Sequence, residues 1–589
     1  MIEPRIYRAA FVPALLAVVL VMFSLESRPR PLPQGLAADV LFEGEQAAVD
    51  ARRIATEHPD RAAGTAGDRA VADEVAAAFA GSGFTVERQR FERDGDELVN
   101  VIGRRAGRSR RQVVVIAARD ATGVPDAAGS ASDTAALVEI ARVFEGRPSR
   151  KTLVLASVDG SALGDVGVER LLDEIDGPDL VDGVLVVSGL GADSGEPPTI
   201  VGWGNDTTRA GIGLQRTVAE SLREELVPPA EPASSAGQLG RLAFPLGIGG
   251  QGLLIAQGYD AVRVSGDGEL SETSPGEPVE EDRLGPLGRA TLRSITALDQ
   301  GPTPGRGPRT YVTIAGQVIP GWVLAVLAAT LLLPAVVASV DAFARARRRR
   351  APVGPWLLWI ALGVAPLLVG YGFASLLALF GATPEPPSAP VAPDLYPLDG
   401  AAIAVLAVVL GVVAVVWAVL RRFAGPTRHR LDEASGAGVA ATLSLGGAAL
   451  ALWLIDPFAA LLAVPALHFW MLATLIDPPP PRRVRYALVA AGLVPPLLLA
   501  VYQLFVLGLD PIGGAWYLLL LILGGQVGPL GVAVGALFTA AFVAVVEIVR
   551  RSPGAERSTP GAPPGPTIRG PLSYAGPGSL GGTDSALRR

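Results

Sequence analysis

The sequence predicts an α/β domain with a mostly parallel sheet, joined to an all-α bundle of membrane-spanning helices. Three observations lead there. Half of the residues are hydrophobic, and mean hydropathy is +0.39, too apolar for an ordinary soluble chain. The apolar residues are segregated: residues 30–310 have the mixed charge of a globular domain, whereas 319–549 are long apolar runs broken by short polar loops. Within the globular part, short β-branched runs alternate with stretches of helical spacing, the pattern of strands and crossover helices.

In the first part, residues 40–57 and 68–80 space Ala, Val and Leu as helices do, and FTVERQRFE (84–92) and ELVNVIGR (97–104) alternate as strands. QVVVIAA (112–118), KTLVLASV (151–158), VDGVLVVSG (181–189) and YDAVRVSG (259–266) read as strands, with a helix near 165–174. GRRAGRSRR (103–111) reads as a solvated hairpin loop, with anionic headgroups or cell-wall polymers as a possible contact. In open parallel sheets, ligands bind beyond the C-terminal ends of the strands. The loops after residues 118, 158 and 188 are therefore where chemistry is expected.

The N-terminal run AAFVPALLAVVLVMFSL (9–25) follows a basic start and has no small-x-small site directly after it, so it reads as an anchor, with a cleaved signal peptide as the alternative. Further spans are expected at about 319–343, 353–380, 400–421, 434–455, 458–476, 486–508 and 522–548, with WYLLLLILGG (516–525) as an extra interfacial piece. ARARRRR (344–350), RRFAGPTRHR (421–430), PPPPRRVR (478–485) and RRSPGAER are arginine-rich, whereas the alternate loops contain no lysine or arginine. That asymmetry predicts both termini in the cytoplasm and residues 30–310 outside the cell membrane. The expected organisation is an anchor (1–29), an extracytoplasmic domain (30–310), a bundle of about seven helices in the lipid bilayer (311–550) and a disordered tail (551–589). Arginine clusters only in short loops, which gives no nucleic-acid footprint, and the absence of cysteine excludes disulfides and thiolate chemistry. The Ala/Gly/Arg-rich usage fits a GC-rich bacterial genome.

Several stretches together resemble metallopeptidase family twenty-eight, the co-catalytic zinc aminopeptidases and carboxypeptidases. EHPDRAAGTAGDRAVADEVAAAFAGSGFTVERQRF (57–91) is similar to that family's opening helix and strand, and EDRLGPLGRATLRSITALDQ (281–300) to its closing helix. FPLGIGGQGLLIAQGYDAVRV is similar to its last helix and strand, so its glycines read as structural. The resemblance implies a zinc-aminopeptidase-like α/β fold, with two zinc ions activating a water for amide hydrolysis.

The ligand positions themselves are altered. The family's His-x-Asp falls on Ala118-Arg119-Asp120, which keeps the orienting acid and lacks the histidine. Its Gly-Ala-Asp-Asp-Asn-Ala-Ser-Gly loop falls on Asp126 to Asp133, with Ala128 and Gly129 in place of the paired acids. Its Asp-Gly-Glu-Glu falls on Asp159-Gly160-Ser161-Ala162, its next Asp on Ser188, and its final His on Glu272. One histidine, His58, remains in the whole domain, so no Ser-His-Asp triad is expected unless His58 serves. Asp120, Asp126, Asp133, Asp159, Asp165 and Glu272 would at most form an all-oxygen site suited to calcium or magnesium. They read instead as solvated loop acids and helix caps, Ser132 and Asp133 being the expected N-caps.

The expected function is thus a membrane protein with a non-catalytic metallopeptidase-like domain, without metal or other cofactor, binding a peptide or protein partner. The alternatives are an active membrane zinc aminopeptidase and an assembly subunit. The latter is similar in layout to the GPI transamidase subunit that carries such a domain. His468, mid-span, is a further functional suspect, with Thr442 or Ser444 as the hydrogen-bond partner expected of a structural histidine.

Overall fold

Runs of Val, Ile and Leu build the centre of the α/β domain, because β-branched side chains pack well on a pleated surface buried on both faces. The computed structural model describes residues 3–34, 41–93, 95–121, 125–193, 195–270, 277–387, 389–424 and 435–551. Helices α1 (Pro4–Ala9) and α2 (Val12–Phe23) and a short strand β1 (Glu26–Ser27) come first. The domain follows, with α3 (Gly44–Glu57), α4 (Ala66–Gly81), β2 (Thr85–Arg93), β3 (Asp96–Arg105), β4 (Ser109–Ala118), α5 (Ser132–Val143) and β5 (Lys151–Val158). It continues through α6 (Val166–Leu171), β6 (Val181–Ser188), β7 (Thr199–Val201), α7 (Ile212–Glu224), α8 (Ser235–Ala243), α9 (Gly250–Ala256), β8 (Ala261–Ser265) and α10 (Glu281–Gln300).

Seven strands form one sheet in the order β2-β3-β5-β4-β6-β8-β7. Its four central strands, β5, β4, β6 and β8, are parallel. The outer pairings are antiparallel. Strand β6 is buried along its whole length and β4 from Gln112 to Ala117, as a strand covered on both faces must be. Since β5 lies between β3 and β4, the segment 106–108 joins non-neighbouring strands and is not the hairpin loop expected from sequence. The short edge strand β7 has no counterpart in the sequence reading.

Helix α4 illustrates how local chemistry positions the site. Thr65 caps it, accepting from Asp68 N at 3.3 Å. Val71, Ala72, Val75, Ala76 and Phe79 then present one buried stripe. At Gly67 the preceding chain lies directly on the first turn: a Cβ there would sit 1.9 Å from the Asp60 carbonyl oxygen. That close approach sends the next residue, Arg61, into the interior, where it has no exposed surface.

Beyond the domain, β9 (Tyr311–Ile314) and β10 (Gln317–Pro320) pair with β1 in a small antiparallel sheet. It ties the N-terminal segment to the start of the bundle. The bundle contains α11 (Gly321–Arg348), α12 (Val353–Leu379), α13 (Gly400–Ala424), α14 (Ser435–Ile455), α15 (Pro457–Leu475), α16 (Arg482–Val506), α17 (Pro511–Leu523) and α18 (Pro529–Arg551). Counting the N-terminal segment Pro4–Phe23, eight helices among the described residues are long and apolar enough to cross a membrane. The last span begins at Pro529, later than the sequence reading placed it, because Gly524 and Gly525 end α17 as a separate 13-residue helix. Alanines line the helix contacts: Ala335, Ala338, Ala342 and Ala346 of α11 and Ala440, Ala441 and Ala449 of α14 are buried. Small residues let apolar helices approach closely where no hydrophobic driving force acts between them.

The domain is seated on the bundle through α8. Leu242 and Ala243 pack with Phe458 and Leu324. Arg241 donates to the Tyr502 hydroxyl at 3.1 Å, and Gln503 donates to the Phe244 carbonyl at 3.2 Å.

Gly67→Ala is expected to lose about 1–3 kcal/mol of stability, the usual range for overpacking. The atom it meets is backbone rather than a movable side chain. Chemical denaturation of the full chain in detergent, followed by tryptophan fluorescence, checks this; an unchanged midpoint would contradict the packing described.

Candidate functional site

The C-terminal ends of β5, β4 and β6 lie side by side. Ala118 pairs with Val158, and Ala117 with Val187. The positions singled out by sequence are therefore brought to one edge: Ala118 at the end of β4, Ser161 and Ala162 just after β5, and Ser188 at the end of β6. Ala128 joins them, its carbonyl accepting from Gly191 N at 3.2 Å. Ala128 is fully buried, and Ser161 and Ser188 are nearly so. Glu272 lies outside the described residues.

The acids around this edge are not the solvated loop acids expected from sequence. Asp120, Asp126, Asp133, Asp159 and Asp165 are all buried. A buried carboxylate needs partners to offset its lost hydration, and each of these has some. Asp120 accepts from the backbone N–H groups of Ser161 (3.1 Å) and Ala162 (3.3 Å). Asp126, with φ of 43°, accepts from Ser130 N at 2.7 Å and caps the single π-turn before α5. Gly129 closes onto it, since a Cβ there would meet the Asp126 carboxylate at 2.3 Å. Asp133 accepts from Gly189 N (2.8 Å) and Leu190 N (2.9 Å). Ser132 donates to the Ala128 and Gly129 carbonyls and accepts from Gly191 N. Ser132 and Asp133 thus bind the neighbouring loop after β6, and neither is the N-cap expected from sequence. Asp165 also has a partner.

Two guanidinium groups complete the cluster, and sequence reasoning singled out neither as functional. Arg119, fully buried, holds Asp68 in a bidentate pair at 2.8 and 2.7 Å and lies 3.5 Å from Asp159. It also donates to the Val99 carbonyl at 2.7 Å and the Ser157 carbonyl at 3.3 Å. Arg61 donates to Ser130 Oγ (3.0 Å), the His58 carbonyl (2.8 Å) and the Arg119 carbonyl (3.4 Å). A fixed planar fork suits this kind of buried, multi-acceptor role. The one hint in the sequence was an arginine, flanked by Ala118 and Asp120, directly after a buried strand. Its partner is 51 positions away, so no local pattern reveals the pair.

Burial also moves protons. Asp159 is pushed up to about 8, first by desolvation and then by the nearby Asp68 charge, and it is hydrogen-bonded to Asp68. The Arg119 charge, nearby, pulls Asp159 the other way. Asp133 is pushed up to about 7 by burial, against the pull of its two backbone N–H donors. Burial likewise raises Asp120.

This donor set does not suit a dinuclear zinc site. Zinc favours imidazole, thiolate and carboxylate ligands. Ala118, Ala128 and Ala162 have no ligand atom, Ser161 and Ser188 offer only hydroxyls, and the carboxylates nearby are engaged by backbone N–H groups or arginine. His58 is elsewhere, capping α3 and bonded to Glu74 at 2.9 Å. Glu57, His58 and Glu74 do cluster closely enough to share an ion, but Arg53 already lies 3.2 and 2.9 Å from the two glutamates.

His468 sits within α15, bonded to the Tyr7 hydroxyl (2.8 Å) and the Leu331 carbonyl (2.9 Å), not to Thr442 or Ser444. The carbonyl can only accept, so Nε2 carries the proton and Nδ1 accepts from Tyr7. Phe11 stacks on the ring at 5.6 Å. His468 thereby fastens the N-terminal helix to α11 and α15.

No family model matches the chain, and no curated protein matches it. Solved structures do. The zinc aminopeptidase BSAP of Bacillus subtilis is similar at 12% identity and TM-score 0.37, over 45% of this chain and 95% of that one. A leucine aminopeptidase precursor of Bacteroides thetaiotaomicron is similar at 14% and 0.36, over 45% and 99%. The glutaminyl cyclase of the same organism, bound to N-acetylhistamine, is similar at 14% and 0.34, over 45% and 99%.

Two outcomes are expected here. Arg119→Ala leaves Asp68 and Asp159 buried without their cation and should lose about 3–5 kcal/mol by chemical denaturation, with Arg119→Lys intermediate. The second concerns pH. The folded value of Asp133 lies above the roughly 3.9 of an unfolded aspartate. The folded chain therefore binds more proton between about pH 4 and 7, and this group's contribution falls as pH rises through that window. Asp133→Asn should flatten the decline of stability with pH there; an identical slope in both proteins would show that Asp133 does not titrate in this way.

Proposed function

We propose that this is a multi-pass membrane protein whose α/β domain is a non-catalytic, metallopeptidase-like binding domain, and that its ligand is a peptide or a protein partner. The observation that carries the reading is the chemistry of the sheet edge. The positions that match the family's ligands and base, and that lie among the described residues, are Ala118, Ala128, Ser161, Ala162 and Ser188. None supplies an imidazole or a carboxylate. Without such ligands a water is not activated for attack on an amide. The ion pair of Arg119 and the hydrogen bonds of Arg61 favour the same reading, because they hold the loops that metal ligands would otherwise order.

The asymmetry of arginine between alternate loops supports an extracytoplasmic domain with both termini cytoplasmic. The seating of α8 on α15 and α16 supports a domain that acts together with its bundle, as an assembly subunit would.

The full chain, purified in detergent, is expected to contain far less than one zinc per chain by elemental mass spectrometry and to show no chelator-sensitive hydrolysis of aminoacyl amides. About two zinc ions per chain with chelator-sensitive hydrolysis would replace this reading with a membrane aminopeptidase. Restoring Ala118→His, Ala128→Asp, Ser161→Glu, Ala162→Glu, Ser188→Asp and Glu272→His together should create zinc affinity. A folded variant with none would count against the positional match to the family.

A further inference from the structure

A cavity of about 480 Å³ lies where the α/β domain meets the bundle, within the roughly 300–1,000 Å³ typical of small-molecule sites. Leu270, from the loop after β8, forms one wall. Leu507 and Leu509 follow α16, Trp516 and Tyr517 belong to α17, and Leu398 precedes α13. The cavity is therefore level with the domain-side ends of three bundle helices. The surface beside it is apolar and uncovered: Phe505 is 84% exposed and Ile512 59%. Phe505 lies on α16, which is long and apolar enough to span a membrane, so an exposed side chain there faces lipid and the cavity continues a hydrocarbon-facing surface inward.

Its polar groups are specific. The Tyr517 hydroxyl donates to the Val391 carbonyl at 2.6 Å and the Tyr396 hydroxyl to the Glu385 carbonyl at 3.1 Å. Trp516 is 3% exposed, and its buried indole N–H has no acceptor among the described residues. A buried donor without an acceptor is unfavourable unless a ligand or water supplies one. The charged groups lining the cavity are carboxylates, Asp394 and Asp510, with no lysine or arginine among the lining residues. Asp510 caps α17 through Ile512 N and Gly513 N, and Asp394 is exposed. Such a rim repels an anionic headgroup and attracts an ammonium group.

We propose that this cavity binds an acyl chain of an amine-headed phospholipid drawn from the leaflet on the domain side, with an ester oxygen accepting from the Trp516 indole N–H and the ammonium group near Asp394. Leu270 places that lipid against the loop that follows β8. The inference rests on the cavity alone and stands or falls independently of whether the α/β domain is catalytic.

The test uses the full chain in nanodiscs doped with phosphatidylethanolamine bearing a diazirine in its acyl chain, with labelled peptides mapped by mass spectrometry. Labelling of 393–398 and 507–517 should exceed that of the lipid-exposed pair Leu497 and Leu498 by about tenfold, the excess expected from about 1.4 kcal/mol of preferential binding. Leu507→Trp or Leu398→Trp, each narrowing the cavity, should reduce the excess while labelling at Leu497 and Leu498 persists as the sign of an intact bundle. Trp516→Phe should reduce it, and a phosphatidylglycerol probe should label the cavity less. Labelling no greater than at Leu497 and Leu498, or an excess unchanged in both tryptophan variants, would overturn the site. Equal labelling by the two headgroups would overturn the amine assignment.

Discussion

The bidentate pair between Arg119 and Asp68 is the interaction on which the rest of the domain's working edge depends. Both side chains are completely removed from solvent. At low effective dielectric an uncompensated charge there would be far more unfavourable than on the surface. Arg119 therefore holds everything its donors reach: the first turn of α4 through Asp68, β3 through the Val99 carbonyl, and β5 through the Ser157 carbonyl. Arg61 adds the loop before α5 and the end of α3. Asp120 then fixes the turn after β5, and Asp133 the turn after β6. The loops at the sheet edge are thus ordered by charge pairs and backbone N–H groups.

The same economy of partners governs the junction with the bundle. The small sheet of β1, β10 and β9 joins the segment after α2 to the segment before α11, so the N-terminal helices and the first bundle helix are linked at the domain side. Tyr7 and His468 link them again within the bundle. Between these two ties, α2 needs little packing of its own, and most of its side chains are exposed, as a helix on the lipid-facing perimeter would be. The domain, seated through α8 and Arg241, leaves between itself and α17 a cavity that its own side chains do not fill.

How much of this was legible beforehand follows from where the information lies. The strands at 112–118, 151–158, 181–189 and 259–266 were legible because burial on both faces demands uninterrupted apolar runs. The spans were legible because a bilayer demands about 20 apolar residues. The edge strand β7 was not, since three residues at the side of a sheet carry no period. The place of β5 between β3 and β4 was not, since strand order is decided by pairing between segments far apart in the chain. Ala118, Ala128, Ser161, Ala162 and Ser188 were located because a resemblance supplied their frame. The burial of Asp120, Asp126, Asp133 and Asp159 was missed because an acid in a glycine-rich loop ordinarily faces water.

By itself, then, the sequence determined the two-part architecture and the absence of histidine and cysteine from the sheet edge, because composition and periodicity are local properties that survive without coordinates. Only the tertiary structure decided what stands at that edge. Arg119 finds Asp68, and Arg61 finds Ser130, across separations of 51 and 69 residues, and no short window of sequence contains both members of either pair. The same holds for Tyr7 with His468 and for the cavity beside Trp516, whose walls come from three separate segments. Such groups meet only when burial drives the segments together, and it is that burial which turns ordinary loop acids into a network that must be neutralised from within.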